Sequence, residues 1–516
     1  MIRGAHFSLL LGLVFAEPGC GASAWLPEEG CAGNEPCGSP TAGSAGEGLV
    51  FVPTGPEAGG AGGAPGATMT GGEPTGSLNS RVIFEGPRFL PSRSVEFKDV
   101  TEDYYTGASI VGDLDRDGHN DIVLVDSRHR DETTLELGIA GAAYVFYGRS
   151  QFPEALSDLD ADLVLFGASG VAPKLGDIDG DGYDDAALYF NCDCDSFGTK
   201  EFCACDEYTG VFVLYGRSAR YAGQHTPAQV GALLWSGAAD VDQSRGAVFS
   251  KAISAAGDVN GDGLADLIVN LQEGHAFKAT LLLGRKDRSS SPLLDAAAAA
   301  FVQVELGDAI GLGDLDGDSF DDVGYGSALF YGSKTRFVGE LEARSGDARL
   351  DQQLRYAGDL DSDGVAELGF VRHDPVFQGL DTLDFIYGTG QRLSGAVELP
   401  QSDFAFDTLA PRFHDPRLAD LNGDGVPDLL VVEEGSSWMR VYALPGSAKR
   451  WDDYFMLTDT HVIAHDQDRA ARLTANVSSG DVDGDGFDDV LLRWRPRSQP
   501  DGTDGAVLLF GAPFED

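Results

Sequence analysis

One acidic ten-residue element recurs seven times in this chain, so any fold assigned to it must contain seven equivalent units. The copies are GDLDRDGHND from Gly112, GDIDGDGYDD from Gly176, GDVNGDGLAD from Gly257, GDLDGDSFDD from Gly313, GDLDSDGVAE from Gly358, ADLNGDGVPD from Ala419 and GDVDGDGFDD from Gly480. Their first aspartates stand about 61 residues apart, which is room for four strands and their loops. A short apolar run follows each copy, and a second apolar run closes on Gly148, Gly216, Gly284, Gly332, Gly388, Gly446 or Gly511. Two further strand-length stretches separate that glycine from the next acidic copy, and no helical period is sustained. The pattern predicts an all-β chain, a seven-bladed β-propeller of four-stranded blades over residues 81–516.

Only five residues follow Gly511, so the seventh unit is one strand short. Residues 81–86 (RVIFEG) form a strand-like run in excess ahead of the first copy. Pairing that run with the last blade closes the ring and leaves no open sheet edge, and this is the expected closure. The alanine run at 296–300 is expected as a short helical turn between blades.

Counted from its first aspartate, each copy reads D-x-[DN]-x-D-[GS]-x-x-[DE]. The candidate metal ligands are Asp113, Asp115, Asp117 and Asp121 in loop 1, and Asp177, Asp179, Asp181 and Asp185 in loop 2. Loop 3 offers Asp258, Asn260, Asp262 and Asp266, and loop 4 offers Asp314, Asp316, Asp318 and Asp322. Loop 5 has Asp359, Asp361, Asp363 and Glu367, whose longer arm still reaches; loop 6 has Asp420, Asn422, Asp424 and Asp428. Loop 7 completes the set with Asp481, Asp483, Asp485 and Asp489. Oxygens at this spacing, joined by the backbone carbonyl of the seventh residue, suit a hard cation with about six to eight oxygen ligands, Ca²⁺ rather than Mg²⁺ or a soft metal. The sixth residue is glycine because the chain must turn with positive φ around the ion; Ser319 stands there in loop 4, which is expected to be the most strained or weakest loop. Asp-Gly stretches also make ordinary turns. Seven copies ahead of seven strands, with 26 acidic residues among 28 ligand positions, favour up to seven Ca²⁺ sites over that reading. An EF-hand is excluded, since the twelfth residues (Leu124, Leu188, Val269, Tyr325) are apolar or aromatic and continue into a strand.

GDxDGDGxxD followed by an apolar strand and a YVFYG-like strand resembles the FG-GAP repeat of integrin α-chain propellers and related bacterial surface proteins. The resemblance covers about residues 81–516 and is marked again by Phe510-Gly511-Ala512-Pro513. It implies a seven-bladed propeller whose Ca²⁺ loops join the first and second strands of each blade on one face, with the ligands named above. Integrins carry such loops in only some blades, whereas here all seven have one, and no Arg-Gly-Asp occurs.

Residues 1–24 read as an export signal, with Arg3, the apolar run FSLLLGLVFA and the small-residue pattern Ala22-Ser23-Ala24. The alternative makes Cys20 the lipid-bearing N-terminus of a lipoprotein. Residues 25–80, rich in Gly, Ala, Pro, Ser and Thr, are expected to be a disordered stalk. No later stretch has membrane length. Besides Cys20 there are six cysteines; one hairpin register pairs Cys192 with Cys205 and Cys194 with Cys203, and Cys31 with Cys37 is the remaining pair. The competing reading of the central four is a zinc site of four thiolates.

The formal net charge of −47 excludes nucleic acid as a partner, because phosphates are repelled. HExxH, P-loop, Rossmann and G-x-S-x-G motifs are absent from the sequence. The leading expectation is therefore a non-enzymatic, monomeric, secreted or surface-held Ca²⁺-binding propeller that serves as a binding or adhesion module for a protein or carbohydrate ligand. Its rivals are a propeller hydrolase or lyase and a sugar-binding lectin. Loops carry recognition on rigid scaffolds, so the insertions at 126–141 and 190–208, on the face opposite the acidic loops, are the expected binding surface.

Overall fold

The computed structural model describes residues 82–83, 88–98 and 105–514, apart from short internal stretches of which 191–209 and 237–252 are the longest. The chain divides into residues 1–47 and 48–516. The first unit lies outside the described residues, as do the signal, the stalk and all the cysteines named above.

Residues 48–516 contain seven antiparallel sheets in a ring, a seven-bladed β-propeller. Blade 1 runs from Tyr105–Gly112 through Asp121–Asp126 and Ala142–Phe146 to Leu163–Phe166. The second strand, DIVLVD, is buried at every residue because a blade packs on both faces, which is why such strands read as continuous apolar runs rather than alternating ones. Adjacent blades share one core: Phe97, Leu491 and Leu508 of blade 7 pack with Ile110, Tyr144 and Phe146 of blade 1.

The ring closes, but not with the run expected. Ser94–Lys98 pairs antiparallel with Gly505–Leu509 as the fourth strand of blade 7. It alternates, with Val95 and Phe97 buried and Ser94 and Lys98 exposed, the pattern of a strand that covers a core on one face. From residues 81–86, Val82–Ile83 pairs in parallel with Tyr454–Met456 at the outer edge of blade 5. Both runs are β-formers, and the one adjoining the first strand of blade 1 takes the closing place.

Five blades also carry a fifth strand, contributed by the next blade. Ala155–Ser157 adds in parallel to Ser94–Lys98, and Gly223–His225 adds to Leu163–Phe166. Gly339–Glu342, Gly395–Val397 and Tyr454–Met456 repeat the arrangement on blades 3, 4 and 5. Each covers the outer edge that a four-stranded blade leaves open. The alanine run is not helical: Ala297–Gln303 is the fourth strand of blade 3, paired on both sides, so sheet pairing overrides the helix propensity of alanine.

Candidate metal centres

Every acidic copy forms the tight connection between the first and second strands of its blade, so all seven lie at the same end of their blades. The second residue of each loop is apolar and buried, from Leu114 to Val482, and it anchors the loop on the core. The first aspartate accepts backbone N–H groups of its own loop: in loop 1, Asp117 N–H reaches Oδ1 at 3.1 Å and Gly118 N–H reaches Oδ2 at 2.9 Å. The chain curls through two residues of positive φ, the fourth and the sixth. Ser319 adopts φ 70° in the glycine role, and Arg116 and Ser362 adopt φ 60° at the fourth place. These are the non-glycine residues of positive φ among the described residues, and all three lie in the loops. The strain expected at Ser319 is therefore shared by loops 1 and 5, through a position the sequence pattern did not flag.

The ninth residue is the fixed point. Asp121 is fully buried, and its carboxylate accepts the Leu114 N–H at 2.8 Å and the Gly148 N–H at 2.7 Å. Loops 2, 3, 4, 6 and 7 repeat both bonds through Asp185, Asp266, Asp322, Asp428 and Asp489. This explains the glycine that closes each third strand: a Cβ on Gly148 would stand 2.4 Å from the Asn120 carbonyl oxygen. Burial pushes the ninth carboxyl up to about 8 in Asp121, Asp185 and Asp489. The backbone bonds oppose that shift, and neighbouring aspartates add to it. In Asp266, Asp322, Glu367 and Asp428 the same causes raise it to about 7.

In loops 1, 2, 4 and 7 the first, third and ninth residues bring carboxylate oxygens within 4.8 Å of one another; in loop 5 Asp359, Asp361, Asp363 and Glu367 all join. Loops 3 and 6 place Asn260 and Asn422 at the third position. These groups fit a cation by an independent sign. Glu367 is fully buried, yet its Oε1 has no hydrogen bond of normal geometry, and Oδ1 of the buried Asp483 is also unsatisfied. A buried, unsatisfied carboxylate oxygen costs free energy that a bound cation offsets.

The fifth aspartates of loops 1, 2 and 4 lie outside the close groups and face arginines that the sequence reading missed. Arg220 reaches Asp115 and Asp117, Arg288 reaches Asp179 and Asp181, and Arg392 reaches Asp316 and Asp318. In loop 5, Arg450 bonds Asp361 and Asp363 at 2.6 Å each, and Arg93 bonds Asp483 at 2.8 Å in loop 7. Four of these five stand four residues after a third-strand glycine, a Gly-x-x-x-Arg spacing that was open to view in the sequence.

No protein-family model matches this chain, and no curated protein matches it. Among solved structures, it is similar to an exotype rhamnogalacturonan lyase, YesX, at 13% identity and a TM-score of 0.35, covering 80% of this chain and 73% of that one. It is also similar to 1,3Gal43A, an exo-β-1,3-galactanase from Clostridium thermocellum, at 10% identity and a TM-score of 0.21, covering 82% of this chain and 96% of that one. At these values no residue role is carried over. The expectation of a non-enzymatic chain is nonetheless corrected, since both structures are of enzymes and a fold of this kind is no ground for setting catalysis aside. Among the described residues, no helix is long and apolar enough to cross a membrane.

Proposed function

We propose that this chain is an exported, FG-GAP-like propeller that loads Ca²⁺ into its seven loops and presents the opposite face to a protein or carbohydrate partner at the cell surface. The unsatisfied buried oxygen of Glu367, amid three further carboxylates, carries the metal part of this reading. The first, third and ninth residues of each loop hold the ion, and in loop 5 Asp363 joins them from the fifth place. Ca²⁺ supplies charge neutralisation and a cross-link inside each connection; its tolerance of many oxygens in loose geometry suits the donor set better than Mg²⁺ does. The second strand of blade 1 ends at Asp126 and the third begins at Ala142, at the end of the blade opposite its acidic loop, and that end is the one this reading gives to the partner.

The test is metal analysis of the dialysed full-length protein together with thermal melts in chelator, Ca²⁺ and Mg²⁺. A ligand that binds only the folded state raises the melting temperature by mass action, so Ca²⁺ should restore what chelation removes. Equal melts in all three media count against the assignment. A panel of polysaccharides and surface proteins, read for retention and for cleavage, then identifies the partner.

A further inference from the structure

Three features vary together from blade to blade. In blades 1, 2, 4, 5 and 7 the third loop residue is aspartate: Asp115, Asp179, Asp316, Asp361 and Asp483. In the same five blades the residue before the third-strand glycine is aromatic: Tyr147, Tyr215, Tyr331, Tyr387 and Phe510. On those rings lie the guanidinium groups of Arg220, Arg288, Arg392, Arg450 and Arg93, at 4.8, 4.6, 5.0, 4.6 and 3.7 Å from the centroids. Blades 3 and 6 depart in all three respects. Their third residues are Asn260 and Asn422, and Leu283 and Pro445 replace the aromatic. Arg336, at the Gly-x-x-x-Arg place that serves loop 3, bonds Asp347 at 2.8 Å instead. The matching place for loop 6 is Glu515, outside the described residues.

Formal charge links the three. At the four ligand positions alone, four carboxylates carry −4, and one arginine brings that to −3; a loop with asparagine at the third place carries −3 at those positions unaided. Loop 7 makes the point most clearly. Phe152 occupies the place of the usual arginine, and Arg93, from the segment before the closing strand, reaches the same aspartate by another route. The guanidinium fork is suited to bridging two carboxylates, and the aromatic face holds it there. It takes Oδ2 of Asp115 while Oδ1 accepts the Asp117 N–H inside the loop.

We propose that these arginines are positioning residues that equalise the seven sites: a clamp of arginine and aromatic ring, inter-blade for loops 1, 2, 4 and 5 and within the blade for loop 7, brings the ligand positions of each four-carboxylate loop to the charge that the asparagine loops have already. Ca²⁺ affinity follows ligand charge, so equalised loops fill over one concentration range rather than two. This rests on the calcium reading above for its purpose, but the clamp itself is testable without metal.

The experiment compares wild type, Arg220→Gln, Arg220→Gln with Asp115→Asn, and Arg336→Gln, all full length, by thermal melts in chelator and in saturating Ca²⁺. Arg220→Gln should lower the chelator melt by about 1–2 °C, with Ca²⁺ closing most of the gap. Asp115→Asn in the same chain should restore the chelator melt. Arg336→Gln should shift both media equally. A loss from Arg220→Gln that is the same in both media overturns the proposal, as does a double variant no more stable than the single one. If the wild-type melt ignores Ca²⁺ while the rescue persists in chelator, the calcium reading fails and the clamp stands.

Discussion

Asp113 and Asp184 hold each other across a blade boundary: the Asp184 N–H donates to the Asp113 carbonyl at 3.1 Å, and the Asp184 carboxylate accepts the Asp113 N–H at 3.0 Å. The eighth residue of one loop thus binds the first residue of the loop before it. The backbone half of this contact recurs from Ala265 to Asp177, Asp321 to Asp258, Ala366 to Asp314, Asp488 to Asp420 and Asn120 to Asp481. Loop 6 has Pro427 at the eighth place and no N–H to give to Asp359. Asp184→Ala should cost about 1 kcal/mol, read from the denaturation midpoint, because it removes the side-chain half and leaves the backbone half in place.

The ninth residue should matter more. Asp121→Ala leaves the N–H groups of Leu114 and Gly148 buried without an acceptor. The expected loss is about 2–4 kcal/mol, present even in chelator, since these bonds are part of the fold. An equal denaturation midpoint for Asp121→Ala and wild type would mean that these two N–H groups do not depend on the Asp121 carboxylate.

The raised carboxyls set a pH dependence with a definite sign. Ordinary values are 3.8 for aspartate and 4.5 for glutamate, and burial lifts the ninth residues to about 7 or 8. Between those limits the metal-free folded chain keeps protons that the unfolded chain has released, so these groups make stability fall as pH rises from about 4 to about 8. A bound cation requires the ionised form. Melts in chelator should therefore decline across this range, and melts in excess Ca²⁺ should decline less or rise. A chelator melt that climbs with pH would mean that these carboxyls are already ionised in the fold.

Phe97 lies on the strand that closes the ring. Its side chain is fully buried and meets Phe146 edge-on, with ring centroids 5.2 Å apart across the boundary between blades 7 and 1. Phe97→Ala should cost about 3–5 kcal/mol by chemical denaturation. Deleting residues 1–87 instead should leave the transition cooperative, because Ser94–Lys98 still completes blade 7.

Seven copies of one motif determined the number of blades and the place of each acidic loop. Such features are local: a loop's first and ninth residues are neighbours in the chain, and turn, carboxylates and following strand are written into one short stretch. What lies between blades was decided by the tertiary structure. Two β-forming runs precede the first blade, and their composition alone does not rank them; packing against the cores of blades 7 and 1 selects Ser94–Lys98. Asp115 and Arg220 are 105 residues apart, and nothing local to either announces the other. Only when blade 2 is laid against blade 1 does the arginine arrive over Tyr147 and its pair of aspartates, because a ring of blades brings one residue of each unit to the loop of the unit before it.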